Sequence, residues 1–271
     1  MMSIRITIDV ENLSGSISDT SFIGPLVPLL RLLEKHEAKA TFFVVGSLAP
    51  AWKEQLIILS KEGHEIGLHG HTHEYLDFLG QDRFRRDLIE GKHILENVID
   101  REIIGFRAPY FSLTRKSAWA SEILFDGGFK FSSSVLPAWN PQAGYPSAPR
   151  VPFVWKSGLV EFPVPIFGLG RIGVPLLGGA YIRLIPNALF NVARVIGLQR
   201  EFEWSYCHPY DFDTETKFDR IRDSSWVFSR LLYARRHKML DRVERLLTGS
   251  PARSFEEHLI SKDFVNSLSR F

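Results

Sequence analysis

The chain has 271 residues, 45% of them hydrophobic, 13% aromatic and 24% charged. That is enough apolar material for one large α/β domain or two small ones, and it excludes a disordered chain, a collagen and a coiled coil. Lys+Arg 33 against Asp+Glu 31 leaves a formal charge of +2, too balanced for a dedicated nucleic-acid binder.

In chain order, Ile4 to Ile8 reads as a short strand that ends in the acidic cluster Asp9-Val10-Glu11-Asn12. Leu26, Leu29, Leu30 and Leu33 then recur at helical spacing, with Pro25 and Pro28 suited only to a first turn. Ala40 to Val45 is a continuous apolar strand, a helix runs from about Ala51 to Glu62 and stops at Gly63, and His64 to Leu68 is a third strand. His69-Gly70-His71-Thr72-His73 sits just past its end. The next helix carries Phe84, Leu88, Leu95 and Val98 on one stripe and leads to the strand Ile103–Phe106, with Arg107-Ala108-Pro109-Tyr110 behind it. A helix over 115–128 and a strand beginning at Phe129 follow. From Leu136 to Pro165 the texture turns rich in Pro, Gly and Trp, an irregular excursion of the kind that is usually functional. A helix starts near Pro186, a late strand over Glu203–Cys207 ends at His208-Pro209-Tyr210-Asp211, and the last fifty or so residues are mostly helical, with Met239, Val243 and Leu246 on one face.

Strands alternating with helices mean a mainly parallel sheet, and sites in such folds lie at the carboxyl ends of strands. Asp9/Glu11, His69/His73 and Arg107/Tyr110 all fall there. No transmembrane helix is visible: the run Ile172–Ile182 is interrupted by Gly173, Pro175, Gly178 and Gly179, where a span needs ~20 apolar residues. The lone cysteine, Cys207, has no internal partner for a disulfide, and the start of the chain runs straight into a strand with no signal-peptide core. A reducing, cytoplasmic setting is expected.

His69 and His73 stand at i, i+4, which puts both imidazoles on one face of either a helix or an extended segment, so the pair suits a divalent metal; a solvated helix face is the ordinary alternative. His71 joins them only if the segment is extended. Two carboxylates at a strand end, Asp9 and Glu11, can divide the work between a cation and a proton. A turn or helix cap is the bland use of such a cluster, and Asn12 and Ser14 are better suited to it. Arg107 follows a buried-looking strand, where it either bridges loops or holds a carboxylate ionised by a two-pronged hydrogen bond. His208 is either a general acid or an ordinary hydrogen-bonded histidine. Cys207 reads as a small buried strand residue.

The ordered set Thr7-Ile8-Asp9-Val10-Glu11, His69-x-x-x-His73, Arg107-x-Pro109-Tyr110 and His208-Pro209 resembles the polysaccharide deacetylase family (NodB homology, carbohydrate esterase family 4). Asp-Val-Glu in place of Asp-Asp, Phe-Arg-Ala-Pro-Tyr-Phe-Ser-Leu-Thr, Gly-Gly-Ala-Tyr-Ile-Arg-Leu and His-Pro-Tyr-Asp-Phe-Asp look like the subgroup found with exopolysaccharide and surface-glycan synthesis. The resemblance covers about residues 4–215 of a single deacetylase-like domain and leaves 216–271 as a basic helical extension. It implies an α/β fold, a distorted (β/α)7-type barrel, with Zn²⁺ or another divalent transition metal in its groove. It makes Asp9 the base, His69 and His73 metal ligands with Glu11 in the place of the family's Asp, and Arg107 the residue that orients the base. It further makes the Tyr110 N–H an oxyanion donor and His208 the general acid. Where relatives often carry an Asp that holds this histidine, the chain has Ser132, and Asp211 or Asp213 could substitute.

The activity implied is metal-dependent removal of an N-acetyl group from an amino sugar in bacterial surface-polysaccharide synthesis, the partner being a carbohydrate. Trp139, Trp155 and Tyr181 are candidates for a sugar-stacking platform, with Arg183 beside them as a substrate-binding residue. Two other readings use the same residues: the same amide hydrolysis on a formamide, cyclic ureide, imide or nucleotide sugar, or a glycan-binding homologue impaired in turnover. Residues 218–248 hold eight Lys/Arg against four Asp/Glu, which is either a solvated helix face or a peripheral membrane contact at the inner leaflet.

Overall fold

The computed structural model describes residues 4–11, 22–199, 202–220, 225–249, 251–259 and 262–271; Asn12 and Ser14 lie outside them. The first half contains β1 (Arg5–Val10), α1 (Ile23–Lys35), β2 (Thr41–Val44), α2 (Lys53–Lys61), β3 (Glu65–Leu68), α3 (Leu76–Ile99), β4 (Gly105–Phe106), α4 (Ala120–Asp126) and β5 (Phe131–Ser132). There follow β6 (Phe153–Val154), β7 (Val160–Glu161), α5 (Gly179–Leu184), α6 (Asn187–Gln199), β8 (Trp204–Cys207) and α7 (Pro209–Phe212). The chain ends with α8 (Trp226–Tyr233), α9 (Met239–Leu246), α10 (Phe255–Leu259), α11 (Lys262–Ser267) and β9 (Ser269–Arg270). No helix among the described residues is long and apolar enough to cross a membrane.

The chain forms two compact units, Met1–Ala40 with Leu176–Arg253, and Thr41–Pro175 with Ser254–Phe271. In the second, β2, β3, β4, β5 and β7 pair in parallel in that order, β6 lies antiparallel to β7, and β9 joins β6 in parallel. All four residues of β2 and of β3 are buried, which is why these strands read as runs and not as alternation. The C-terminal segment is built into this unit: Phe255 packs against Phe162 at 4.7 Å, Phe131 at 5.5 Å and Phe43 at 6.3 Å between ring centroids. The carboxyl of Glu65 accepts from the N–H of Phe255 and Glu256 and from the hydroxyl of Thr41. Burial drives its pKa up to about 7, against those hydrogen bonds and with the help of Glu256.

In the first unit β1 pairs in parallel with β8. Met239, Val243 and Leu246, the expected apolar face of α9, are fully buried.

Two expectations are corrected. The helix expected over 115–128 covers only Ala120–Asp126. Ser117 accepts from the Thr114 N–H at 2.9 Å and donates to the Ser112 carbonyl at 2.9 Å, so 112–117 is a side-chain-tied turn. Pro28 lies inside α1, beyond its first turn; it is exposed, and Leu26, Leu29, Leu32 and Leu33 hold the helix down through the opposite face.

Candidate active site

The parallel register sets the histidine loop. Leu68 pairs with Phe106, Phe106 with Ser132, and Ser132 with Glu161, so His69, Arg107 and Ser133 leave the sheet side by side at its carboxyl edge. His69 is 3% exposed, and its Nδ1 lies 3.0 Å from the Arg107 carbonyl. That contact puts the proton on Nδ1 and leaves the lone pair on Nε2, the tautomer of a ligating histidine held by an outer hydrogen bond. The segment 69–75 is neither helix nor strand. Positive φ at Gly70 (+69°) and His73 (+58°) turns it, and the His73 ring ends 5.0 Å from that of His69. Two adjacent imidazoles, one with its tautomer set by a carbonyl, fit a divalent transition metal.

His71 goes elsewhere. Its Nε2 lies 3.6 Å from Glu90 on α3, its ring sits against Gly46 and its Cβ against Gly91. A Cβ at Gly46 would meet Gly91 at 2.8 Å and the His71 ring at 3.1 Å, so these two small residues let α3 approach.

Asp87 fastens this loop. Its Oδ2 accepts from the His71 N–H at 2.8 Å, and its Oδ1 from the N–H and hydroxyl of Thr72 at 3.0 and 2.6 Å. Sequence reasoning missed it, although the signal was present: an acid three residues after Phe84, on the buried stripe of α3.

Arg107 is fully buried. Its Nε donates to the Ser133 carbonyl and its Nη2 to the Ser133 hydroxyl, with the guanidinium 4.1 Å from the Phe43 ring centroid. Next to it, Ser134 Oγ accepts from the Ala108 N–H at 2.8 Å and from Ser132 Oγ at 2.7 Å. Glu161, also missed, accepts from the N–H of Ser134 and Val135 and from the Trp155 indole. Burial raises its pKa against these hydrogen bonds. Ser132 thus belongs to a hydroxyl network under Arg107-Ala108.

Tyr110 and Phe111 have φ of +58° and +53°, rarely populated by such bulky residues and kept where surrounding contacts hold them. The Tyr110 ring stacks on Tyr75 (4.2 Å, 5°) and lies 4.9 Å from the His73 ring. Tyr75 is thus a third residue that sequence reasoning did not single out. Trp139 is 68% exposed, as a platform needs, but Trp155 is only 5% exposed and packs on Phe153 and Phe271. The expectation of Trp155 as a stacking residue is therefore corrected.

In the other unit Ile8 pairs with Cys207, so Asp9 and His208 follow one step beyond a shared register position. Asp9 is 3% exposed. Nε2 of His208 lies 3.5 Å from Glu11 and Nδ1 3.4 Å from Asp211. Burial lowers the pKa of His208, but Glu11, Asp211 and Asp9 outweigh it and carry it to about 9. The Cys207 thiol is pushed well up by burial and by Asp211 and Asp9, which makes it inert. Tyr181 is 39% exposed. Arg183 is corrected: it has no exposure, and its Nε donates to Asp211 at 2.7 Å, so it cannot touch a substrate. Of the two aspartates that could hold His208, Asp211 does so; Asp213 pairs with Arg236 at 3.8 Å.

Residues 25–124 match the polysaccharide deacetylase family model, and residues 133–259 match a domain of unknown function, DUF3473. A peptidoglycan-N-acetylglucosamine deacetylase of Bacillus cereus is 28% identical over 102 residues, 38% of this chain and 37% of its own length. A chitooligosaccharide deacetylase of Azorhizobium caulinodans is 26% identical over 121 residues, 44% of this chain and 55% of its own length. The chain thus spans less than two thirds of each. The crystal structure of a putative polysaccharide deacetylase from Mycobacterium smegmatis superposes with a TM-score of 0.60 at 20% identity, over 99% of this chain and 93% of the other. That likeness shows the fold, the α/β (β/α)7-type class that the resemblance implied. The motifs that follow its strands, the family model matched over residues 25–124 and this fold point the same way: over that stretch the chain is similar to the polysaccharide deacetylase family (NodB homology, carbohydrate esterase family 4), and its fold is that of the solved structure.

Proposed function

We propose that the chain is a metal-dependent hydrolase that removes an N-acetyl group from an amino sugar of a bacterial surface polysaccharide. The observation that carries the reading is the His69/His73 pair, with the tautomer of His69 set by the Arg107 carbonyl. The names of the relatives, deacetylases of peptidoglycan and of chitooligosaccharides, support an amino-sugar polymer as the substrate class.

In this proposal His69 and His73, with Glu11 as their carboxylate, would hold a divalent transition metal, which would supply Lewis-acid polarisation of the acetyl carbonyl and activation of the attacking water. Asp9 would accept the proton of the attacking water, with Arg107 in the role of the residue that orients the base. The Tyr110 N–H donates to the oxygen that becomes negative; one such donor is worth ~3 kcal/mol. His208 gives a proton to the departing sugar amine, and acetate remains. Tyr75, Tyr110, Trp139 and Tyr181 offer aromatic faces to sugar rings. Replacing His69 and His73 by Ala is expected to abolish both metal binding and acetate release from N-acetylated chitooligosaccharides; full activity in the metal-free double variant would sink the proposal.

A peripheral contact with an anionic membrane is favoured by one feature of α8. Trp226, Val227, Phe228 and Leu231 are 56, 62, 52 and 46% exposed beside Arg230. Apolar side chains with adjacent arginines suit a lipid interface, each basic residue adding about 1 kcal/mol near anionic lipid. Co-flotation with phosphatidylglycerol vesicles, lost in W226A/F228A, is the expected result; equal flotation of both proteins rejects the contact.

A further inference from the structure

His208 is gripped by one carboxylate through both its backbone and its ring. Oδ2 of Asp211 accepts from the His208 N–H at 2.9 Å and lies 3.4 Å from its Nδ1, a length of the kind that tightens when a substrate complex forms. The Tyr210 ring lies flat on the imidazole, with centroids 4.6 Å and planes 10° apart. The other oxygen of Asp211, Oδ1, accepts from Nε of Arg183 at 2.7 Å, with both side chains wholly out of solvent. Arg183 in turn donates through Nη1 to the carbonyls of Ala234 at 2.5 Å and Leu231 at 3.4 Å, at the C-terminal end of α8. The packing has no slack: a Cβ at Gly179, on the helix that carries Arg183, would overlap the Asp211 carboxylate.

We propose that Asp211 and Arg183 are positioning residues for the general acid, a relay from α8 through Arg183 and Asp211 to His208 that takes over the task of an aspartate absent at Ser132. The proposal deepens the assignment of His208 as the acid and rests on it. A hydrogen bond from Nδ1 to Asp211 makes Nε2 the nitrogen that faces the leaving group and prevents the ring from turning over. Arg183 occupies Oδ1, so the carboxylate keeps one orientation and offers the histidine a single oxygen. Residues 231–234, in the expected basic extension, are by this reading part of the apparatus that aims the acid.

Asp211→Asn is the informative change, because it keeps the volume while one carboxylate oxygen becomes an amide donor. The Arg183 Nε–H and the His208 N–H both need an acceptor, so one of them must lose it. The N-acetyl substrate is a chitooligosaccharide; the comparison substrate is 4-nitrophenyl acetate, whose phenolate leaves without being protonated. Metal content is measured for every variant, since His208 lies beside Glu11. D211N and D211A are expected to lose about 10²-fold or more in kcat on the amide, with KM and metal content unchanged. They should stay within a few-fold of wild type on the ester. H208A should behave alike, and H208A/D211A no worse than H208A.

Wild-type amide turnover in D211N and D211A, with H208A dead, would overturn the positioning role alone. Wild-type amide turnover in H208A would overturn the acid assignment itself, and the relay with it. A readout independent of substrate is the His208 signal in long-range ¹H–¹⁵N spectra recorded where the ring is neutral: the proton stays on Nδ1 in wild type and spreads over both nitrogens in D211A. The same tautomer mixture in both proteins would reject the relay.

Discussion

Asp87 is expected to govern metal affinity although it touches no reacting atom. It lies on α3 at 6% exposure and takes three hydrogen bonds from the histidine loop, two from N–H groups and one from a hydroxyl. Hydrogen bonds to a charged acceptor are worth about 1.5–3 kcal/mol each, and a buried N–H left unpaired costs about 1–3 kcal/mol. In Asp87→Asn one oxygen still serves Thr72, but the amide NH₂ then faces the His71 N–H, donor against donor. The expected loss is thus ~2–4 kcal/mol, drawn from the ordering of residues 69–73. A loop that holds two ligands turns such a loss into weaker binding, and outer partners of metal ligands are typically worth 10–100-fold in affinity. Calorimetric titration of the metal-stripped protein with Zn²⁺ should show a drop of that size in D87N and a larger one in D87A. Glu90→Gln serves as the control. Its carboxylate is 64% exposed and 3.6 Å from His71, an ion pair worth little in water, so its affinity should stay within a few-fold. Wild-type Zn²⁺ affinity and unfolding midpoint in D87N would refute the reasoning.

Glu65 gives a pH signature. Its carboxyl titrates at about 7 in the folded chain against 4.5 when unperturbed, so between those values the folded state holds the proton more tightly than the unfolded state. Stability is therefore fully present below about 4.5 and is lost as pH rises through about 7, by ~3 kcal/mol at most. Urea midpoints of E65Q should lack that slope; parallel pH profiles of the two proteins would count against it. Tyr75→Ala removes the ring stacked on Tyr110 and should raise KM for a chitooligosaccharide several-fold with kcat kept, as ~1 kcal/mol of aromatic contact implies; an unchanged KM dismisses Tyr75 as a sugar contact. Gly179→Ala forces a methyl into the Asp211 carboxylate and should cost about 1–3 kcal/mol, read as a lower melting temperature; an unaltered melting curve would show that α5 can shift.

What could be read from the chain follows the backbone. His69, Arg107 and His208 each come directly after a strand, Asp9 is the last residue but one of β1, and a parallel sheet lines up what stands at the ends of its strands. The rows Leu68–Phe106–Ser132 and Ile8–Cys207 are that alignment. What escaped reading depends on side chains that meet across sequence distance. Arg183 looked like a substrate ligand because a lone arginine in Gly-Gly-Ala-Tyr-Ile-Arg-Leu carries no mark of burial. Its mate, Asp211, stands 28 residues away, and the carbonyls that share its charge are 48 and 51 residues away. Asp87 was more accessible, since an acid on an apolar helix stripe must find donors or stay neutral. The nearest donors to such a position are the loop N–H groups over which the helix lies. Charged residues on apolar faces are thus where a sequence shows that something must be held, and at Asp87 the thing held is the loop that carries both histidines.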